Sequence, residues 1–91
     1  MVNKKVVVVN PSGLHLKPAG LLCNLAIRFD SKIMLCNDKG KSNAKSVLSV
    51  LSACVKCGDE VEIECEGPYE EEALRQLVEA IESGLGEGRQ L

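Results

Sequence analysis

The feature that most constrains the fold is a strict alternation of glutamate and apolar residues from Glu60 to Glu66. Successive side chains of a β-strand point to opposite faces, so Val61, Ile63 and Cys65 share one face and the four glutamates share the other. A strand of this kind belongs to a sheet that is packed on one side and wet on the other. We therefore expect every helix of the domain on a single face of the sheet.

Turn signals and hydrophobic periodicity predict six further elements. Four consecutive valines favour extended backbone near the N-terminus, and Pro18 fits a first helical turn because its missing N–H would have no intrahelical partner there. Ser46 precedes a short apolar stretch and is typical of a helix N-cap. The predicted strands are Val2 to Asn10, Lys32 to Asn37 and Lys41 to Ala44, and the predicted helices run from Leu16 to about Arg28, from Val47 to Ala53, and from Glu70 to a stop at Gly84.

The order of elements, β-α-β-β-α-β-α, predicts an α+β fold. With one wet sheet face, it is an open-faced two-layer sandwich, in which a four-stranded antiparallel sheet is covered on one face by three helices. The 91 residues form one domain, 1–91, whose small core leaves little room for a deep pocket. The last residues, Gly86 to Leu91, are expected to form a loose tail.

Charge and hydropathy exclude several classes of function. The net charge is −2 and no basic run extends beyond Lys4-Lys5, which argues against direct contact with nucleic acid. No apolar stretch approaches the ~20 residues of a spanning helix, so membrane insertion is not expected. The N-terminus passes directly into a strand pattern without a signal-peptide core, which predicts a cytoplasmic protein.

The cysteines give no clear cofactor site. Five cysteines without an export signal predict reduced thiols. Cys54 and Cys57 have the two-residue spacing of redox and zinc sites, but zinc would need two further ligands, and the chain has no second pair and one histidine. We interpret these cysteines as structural or incidental and expect neither a metal nor a cofactor.

The single histidine, His15, is the leading candidate for chemistry. A lone histidine is more often an ordinary surface or half-buried side chain than a chemical centre. His15, however, lies at the predicted start of the first helix, where unpaired backbone N–H groups favour an anion.

Two segments resemble a known family. The active-site signature of HPr, the histidine phosphocarrier of the bacterial phosphoenolpyruvate-dependent sugar phosphotransferase system (PTS), is similar to Gly13-Leu14-His15-Leu16-Lys17-Pro18-Ala19. The regulatory-serine segment of HPr from low-GC Gram-positive bacteria is similar to Asn43-Ala44-Lys45-Ser46-Val47-Leu48. The length and the order of elements resemble the family across essentially the whole chain.

The resemblance implies a phosphoryl carrier and not an independent enzyme. Nδ1 of His15 would accept a phosphoryl group from phosphorylated enzyme I and pass it to sugar-specific enzyme IIA proteins. The chemistry agrees, because the backbone N–H groups of Leu16 and Lys17 can donate to phosphoryl oxygens and the Lys17 ammonium adds positive charge. Ser12 could bond the ring or the phosphate, although capping of the turn is an equally good interpretation.

Lys17 departs from the family signature, which usually has arginine there. Arginine can hold two phosphoryl oxygens at once, whereas lysine is a mobile point charge. We therefore expect slower phosphotransfer than in a Lys17→Arg variant.

Ser46 reads locally as an N-cap worth about 1 kcal/mol. The resemblance instead implies phosphorylation by HPr kinase/phosphorylase, with a product that can act with the catabolite control protein. Phosphate would add a charge of nearly −2 beside the surface that partners share with His15. An alternative function is a regulatory HPr paralogue that acts mainly through Ser46 and partner binding, with a relay weakened by Lys17.

Apolar residues near these sites predict a partner surface. A short second helix cannot bury all of its apolar side chains at once, so some of them remain exposed, although scattered exposed apolar residues are also common. A monomer is the expected state of so small a carrier. The residues assigned to the partner surface are Leu16, Gly20, Val47, Leu48 and Leu51.

Overall fold

The structure, a computed structural model that describes residues 1–90, contains the seven predicted elements in the predicted order. The strands are β1 (Val2–Val7), β2 (Lys32–Asn37), β3 (Gly40–Asn43) and β4 (Glu60–Glu66). The helices are α1 (Leu16–Ile27), α2 (Val47–Ser52) and α3 (Glu70–Glu82).

The strands form one antiparallel sheet in the order β1-β4-β2-β3. The alternating strand β4 lies inside the sheet, where Val61 is opposite Val6 of β1 and Ile63 is opposite Leu35 of β2. Val61, Ile63 and Cys65 are buried, whereas the glutamates of β4 are half-buried or exposed. The α+β two-layer prediction is confirmed.

The core lies between the sheet and the helices. Leu22 of α1, Val50 of α2 and Leu77 of α3 are fully buried against strand residues such as Leu35 and Ile63. Helix α3 is strongly amphipathic, with its apolar stripe inside and an exposed charged face. None of the helices in the described part of the chain is long and apolar enough to cross a membrane.

The first strand is shorter than predicted and ends at Val7 rather than Asn10. Val7 pairs with Glu60, the first residue of β4, so the antiparallel ladder has no partner strand beyond that point. Val8 instead exchanges backbone hydrogen bonds with Asp59 and Gly58, while Val8 to Asn10 remain buried. The apolar run is thus longer than the strand because burial continues after the ladder ends.

Of the predicted loose tail, Gly86 to Leu91, residues 86–90 are exposed but make hydrogen bonds with the N-terminal part of the chain. Leu85 is buried, and the Gln90 N–H donates to the Val9 carbonyl at 2.6 Å. The side chain of Glu87 also bonds to residues near the N-terminus. We call residues 84–90 the C-terminal segment; Leu91 lies outside the described residues.

Candidate functional site

His15 is the N-cap of helix α1. Its backbone is extended, at φ −80° and ψ −172°, and its carbonyl accepts the N–H of Ala19 at 2.8 Å. The residue is exposed and its side chain makes no capping hydrogen bond. The imidazole is therefore presented at the surface and is not used to close the helix end.

The loop before His15 is held by main-chain contacts. Leu14 is buried, and its N–H donates to the Val55 carbonyl at 3.0 Å. Gly13 has φ +65°, and a Cβ there would lie 2.5 Å from the Val55 carbonyl oxygen and 2.8 Å from Cα of Lys56. Only glycine fits at position 13, so the placement of His15 depends on the glycine two residues before it.

The first turn of α1 offers free donors beside His15. Since Ala19 donates the first intrahelical bond, the N–H groups of Leu16 and Lys17 have no acceptor within the helix, and Pro18 has no N–H. The side chain of Lys17 is exposed. The chain thus brings a histidine, two free backbone donors and one cation together at a positive helix end, which suits transient binding of an anionic group.

Sequence reasoning missed Glu87, whose carboxylate contacts the loop before His15. Its Oε1 accepts the Ser12 N–H at 3.1 Å, and the Ser12 hydroxyl lies 2.7 Å and 2.8 Å from its two oxygens. Hydrogen bonds from Asn10 and Ser12 lower the pKa of the Glu87 carboxyl, and the positive charge of Lys17 lowers it further. Ser12 and Glu87 are 75 residues apart, so no local signal could have identified the pair.

Asn10 joins the loop to the C-terminal segment. It is completely buried, and its Nδ2 donates to the Gly13 carbonyl at 2.8 Å and to Glu87 Oε1 at 2.9 Å. Within residues 1–90 its Oδ1 has no hydrogen-bond partner. The sequence predicted only that Asn10 ends the first strand. In the structure its side chain also ties the loop to Glu87.

Ser46 is the N-cap of α2, as predicted. Its hydroxyl accepts the N–H of Ser49 at 3.3 Å, and its carbonyl accepts the N–H of Val50 at 3.0 Å. The residue is half-buried. Ser46 Oγ thus lies at the start of a helix that packs against α1, the helix capped by His15.

The residues assigned to partner docking differ in exposure. Leu16 and Leu48 expose 62% and 78% of their surface. Gly20, Val47 and Leu51 are half-buried, and a Cβ added at Gly20 would meet no atom within 4 Å. Leu16 follows His15 in the chain and Leu48 lies two residues after Ser46, and the helices that carry them are in contact. A docking surface for partners at this place stays a prediction.

No disulfide joins the five cysteines, which all lie within residues 1–90, and Cys54 is exposed while Cys57 is half-buried. A cluster of possible metal ligands lies elsewhere, on the open face of the sheet, where ligand atoms of Cys36, Glu62 and Glu64 lie within 4.8 Å of one another. Glu64 is already paired with Lys41 at 3.1 Å. Burial and the neighbouring Glu64 raise the pKa of the Cys36 thiol, which disfavours the thiolate that binds metals.

His15 is exposed and lies apart from a groove at the edge of the sheet, on the other side of β1 from β4. This groove of about 360 Å³ lies between α3 and β1, lined by residues that include Lys4, Leu74 and Glu82. None of its lining residues belongs to the loop or helix end around His15. An exposed histidine outside this groove suits transfer to another protein better than enclosure of a small substrate.

Comparison with known proteins assigns a family. The family model described as PTS HPr component phosphorylation site matches residues 2–83, which include His15 and Ser46. Phosphocarrier protein HPr of Treponema pallidum (strain Nichols) is 47% identical over 77 residues, covering 85% of this chain and 88% of that protein.

Two solved structures are similar over nearly their whole length. HPr-C-His of Thermoanaerobacter tengcongensis has a TM-score of 0.92 and 40% identity, with 96% of this chain and 98% of the other covered. The catabolite repression protein Crh of Bacillus subtilis, a dimer with a swapped domain, has a TM-score of 0.75 and 38% identity, with coverage of 92% and 97%.

Proposed function

This chain belongs to the PTS HPr family of phosphocarrier proteins, and on that premise we propose that His15 relays a phosphoryl group between two partner proteins. The donor is phosphorylated enzyme I and the acceptors are sugar-specific enzyme IIA proteins in the cytoplasm. One observation carries the proposal: His15 is an exposed N-cap beside the free N–H groups of Leu16 and Lys17.

The transfer needs little more than these groups. The lone pair of Nδ1 attacks phosphorus while the bond between phosphorus and the donor breaks, and the bonding electrons leave with the donor. The Leu16 and Lys17 N–H groups, with the Lys17 ammonium, stabilise the charge on the phosphoryl oxygens. The second transfer repeats the step with His15 as the leaving group, so the carrier is a substrate of both partners.

The test is incubation of the full chain with phosphoenolpyruvate and enzyme I. We expect one acid-labile, alkali-stable phosphate per molecule, lost in His15→Ala. Asn24→Ala is the matched control, because Asn24 is exposed on the same helix, away from its start. A wild-type protein that takes no phosphate, or His15→Ala protein that labels equally, would overturn the proposal.

Phosphorylation of Ser46 by HPr kinase/phosphorylase is the second part of the proposal. Ser46 Oγ caps a helix beside α1, so a phosphate there would add negative charge near the surface on which partners of His15 dock. ATP and the kinase should give acid-stable phosphate that is absent from Ser46→Ala and present in Ser49→Ala. Equal labelling of both variants would exclude Ser46 as the site.

A regulatory paralogue is the second candidate function, favoured by Lys17 in the usual arginine position and by the similarity to Crh. Its partner would be the catabolite control protein. The two functions predict opposite patterns: strong labelling at Ser46 with negligible transfer from His15 to enzyme IIA favours regulation. Rapid transfer to enzyme IIA favours the relay.

A further inference from the structure

The carboxylate of Glu87 occupies hydrogen-bond donors three residues from His15. It takes the backbone N–H and the hydroxyl of Ser12, together with the Asn10 side-chain amide. These are the kinds of donor that a phosphoryl oxygen would accept from. In the unphosphorylated protein they are therefore satisfied by an internal anion.

The placement of Glu87 is held by the rest of the C-terminal segment. Leu85 is buried ahead of it, and the Gln90 N–H donates to the Val9 carbonyl behind it. The positive charge of Lys17 reaches the carboxylate, since Lys17 is one of the groups that lower its pKa. Glu87 thus interacts with the positive charge of Lys17, which lies two residues after His15.

We propose that Glu87 is a positioning residue that weakens the binding of a phosphoryl group at His15, by holding the Ser12 donors and by repelling the phosphoryl charge. The role rests on the proposed function of His15. A carrier must release its phosphoryl group readily, and an adjacent negative charge raises the tendency of the phosphorylated form to transfer it. By linkage, phosphorylation of His15 weakens the contact between Glu87 and Ser12 to the same extent.

The experiment measures the equilibrium constant of phosphoryl exchange between enzyme I and the full chain. Glu87→Gln should shift it toward the phosphorylated carrier by about two- to fivefold, the range expected for one exposed charge. The shift should shrink at ~1 M salt, where charges are screened within ~3 Å. Glu87→Asp, which keeps the charge, should stay closer to wild type.

Two controls separate the charge from other causes. Glu71→Gln removes an exposed charge from the opposite end of the sheet, where α3 begins and Met1 pairs with Glu70, and should leave the equilibrium unchanged. A Ser12→Ala background should reduce the effect of Glu87→Gln, because part of that effect passes through Ser12.

The outcomes are distinct. If wild-type protein is phosphorylated but Glu87→Gln leaves the equilibrium unchanged, or gives a shift that neither ~1 M salt nor the Ser12→Ala background reduces, the role of Glu87 is wrong and the relay stands. If wild-type protein takes no phosphate at all, the proposed function fails and the role of Glu87 fails with it.

Discussion

At the scale of single residues, the proposed relay makes Lys17 the side chain that we expect to set how firmly a phosphoryl group is held at the start of α1. The lysine is exposed and can neutralise charge, but it cannot form the two parallel hydrogen bonds of a guanidinium. Its long side chain must also lose rotamer freedom to reach the phosphoryl oxygens.

Lys17→Arg should speed phosphotransfer from enzyme I. We expect an increase of about tenfold, corresponding to the ~1.4 kcal/mol that one additional charge-assisted hydrogen bond can supply. Stopped-flow measurement of the transfer rate checks this, with Lys39→Arg as the control, because Lys39 is also exposed but lies in the turn between β2 and β3. An equal or faster rate for the natural lysine would contradict the argument.

The contact of Glu87 with Asn10 and Ser12 should depend on pH. Because these contacts lower the pKa of Glu87 in the folded state, their stabilisation is present above the ordinary glutamate pKa of ~4.3 and is lost as pH falls through the lower folded value. The pKa values of Glu70 and Glu72 are lowered too, so the whole protein loses stability in acid.

Denaturant unfolding across this pH range tests the contribution of Glu87. Glu87→Gln should show a shallower loss of unfolding free energy below pH ~4.3 than wild type, because one of the titrating contacts is gone. Identical slopes for the two proteins would mean that Glu87 does not hold the loop in solution.

At the scale of elements, the short helix α2 buries only part of its apolar surface. Helix α2 buries Val50 fully but leaves Leu48 largely exposed. An exposed leucine adds nothing to folding, but it can add to binding when a partner covers it.

Leu48→Ala should therefore weaken association with enzyme I and leave folding nearly unchanged. We expect a loss of about 1 kcal/mol, or roughly fivefold in Kd, which isothermal titration calorimetry can measure. Ile27→Ala is the matched control, since Ile27 is also strongly exposed but lies at the far end of α1 from His15. Equal losses in both variants would argue against a docking role specific to Leu48.

The sequence predicted local features well and distant pairings poorly. The alternation in β4, the start of α1 beside His15 and the N-cap at Ser46 depend on neighbours within a few residues, so the sequence pattern could predict them. The end of β1 depends on where β4 begins, and the contact of Ser12 with Glu87 joins the two ends of the chain. Such features depend on contacts between residues far apart in the chain, and local patterns in the sequence do not predict them.

At the scale of the whole molecule, the exposed edge of the sheet bears on the oligomeric state. Strand β1 lies at the edge of the sheet and pairs with β4 alone, while Lys4 and Lys5 are exposed along it. Lysines on an edge strand disfavour pairing with a second chain. The related Crh nevertheless forms a dimer with a swapped domain.

We expect this protein to be a monomer of 9.8 kDa in solution. Within one chain β1 pairs with β4 and the C-terminal segment bonds to Val9, so neither contact needs a second copy. Sedimentation equilibrium at micromolar and millimolar concentrations checks the mass. A stable mass of twice this value at micromolar concentration would show that a second copy is part of the structure.

The main-chain anchoring of the His15 loop bears on how freely this sequence can vary. The Val55 carbonyl accepts the Leu14 N–H and closely approaches Gly13. This carbonyl is present whichever side chain position 55 carries. Substitutions at the exposed position 56 can therefore accumulate without moving the histidine, whereas position 13 admits no side chain. The close approach of two backbone segments therefore limits which substitutions this site tolerates. The limit is strictest at Gly13, which has no reactive group.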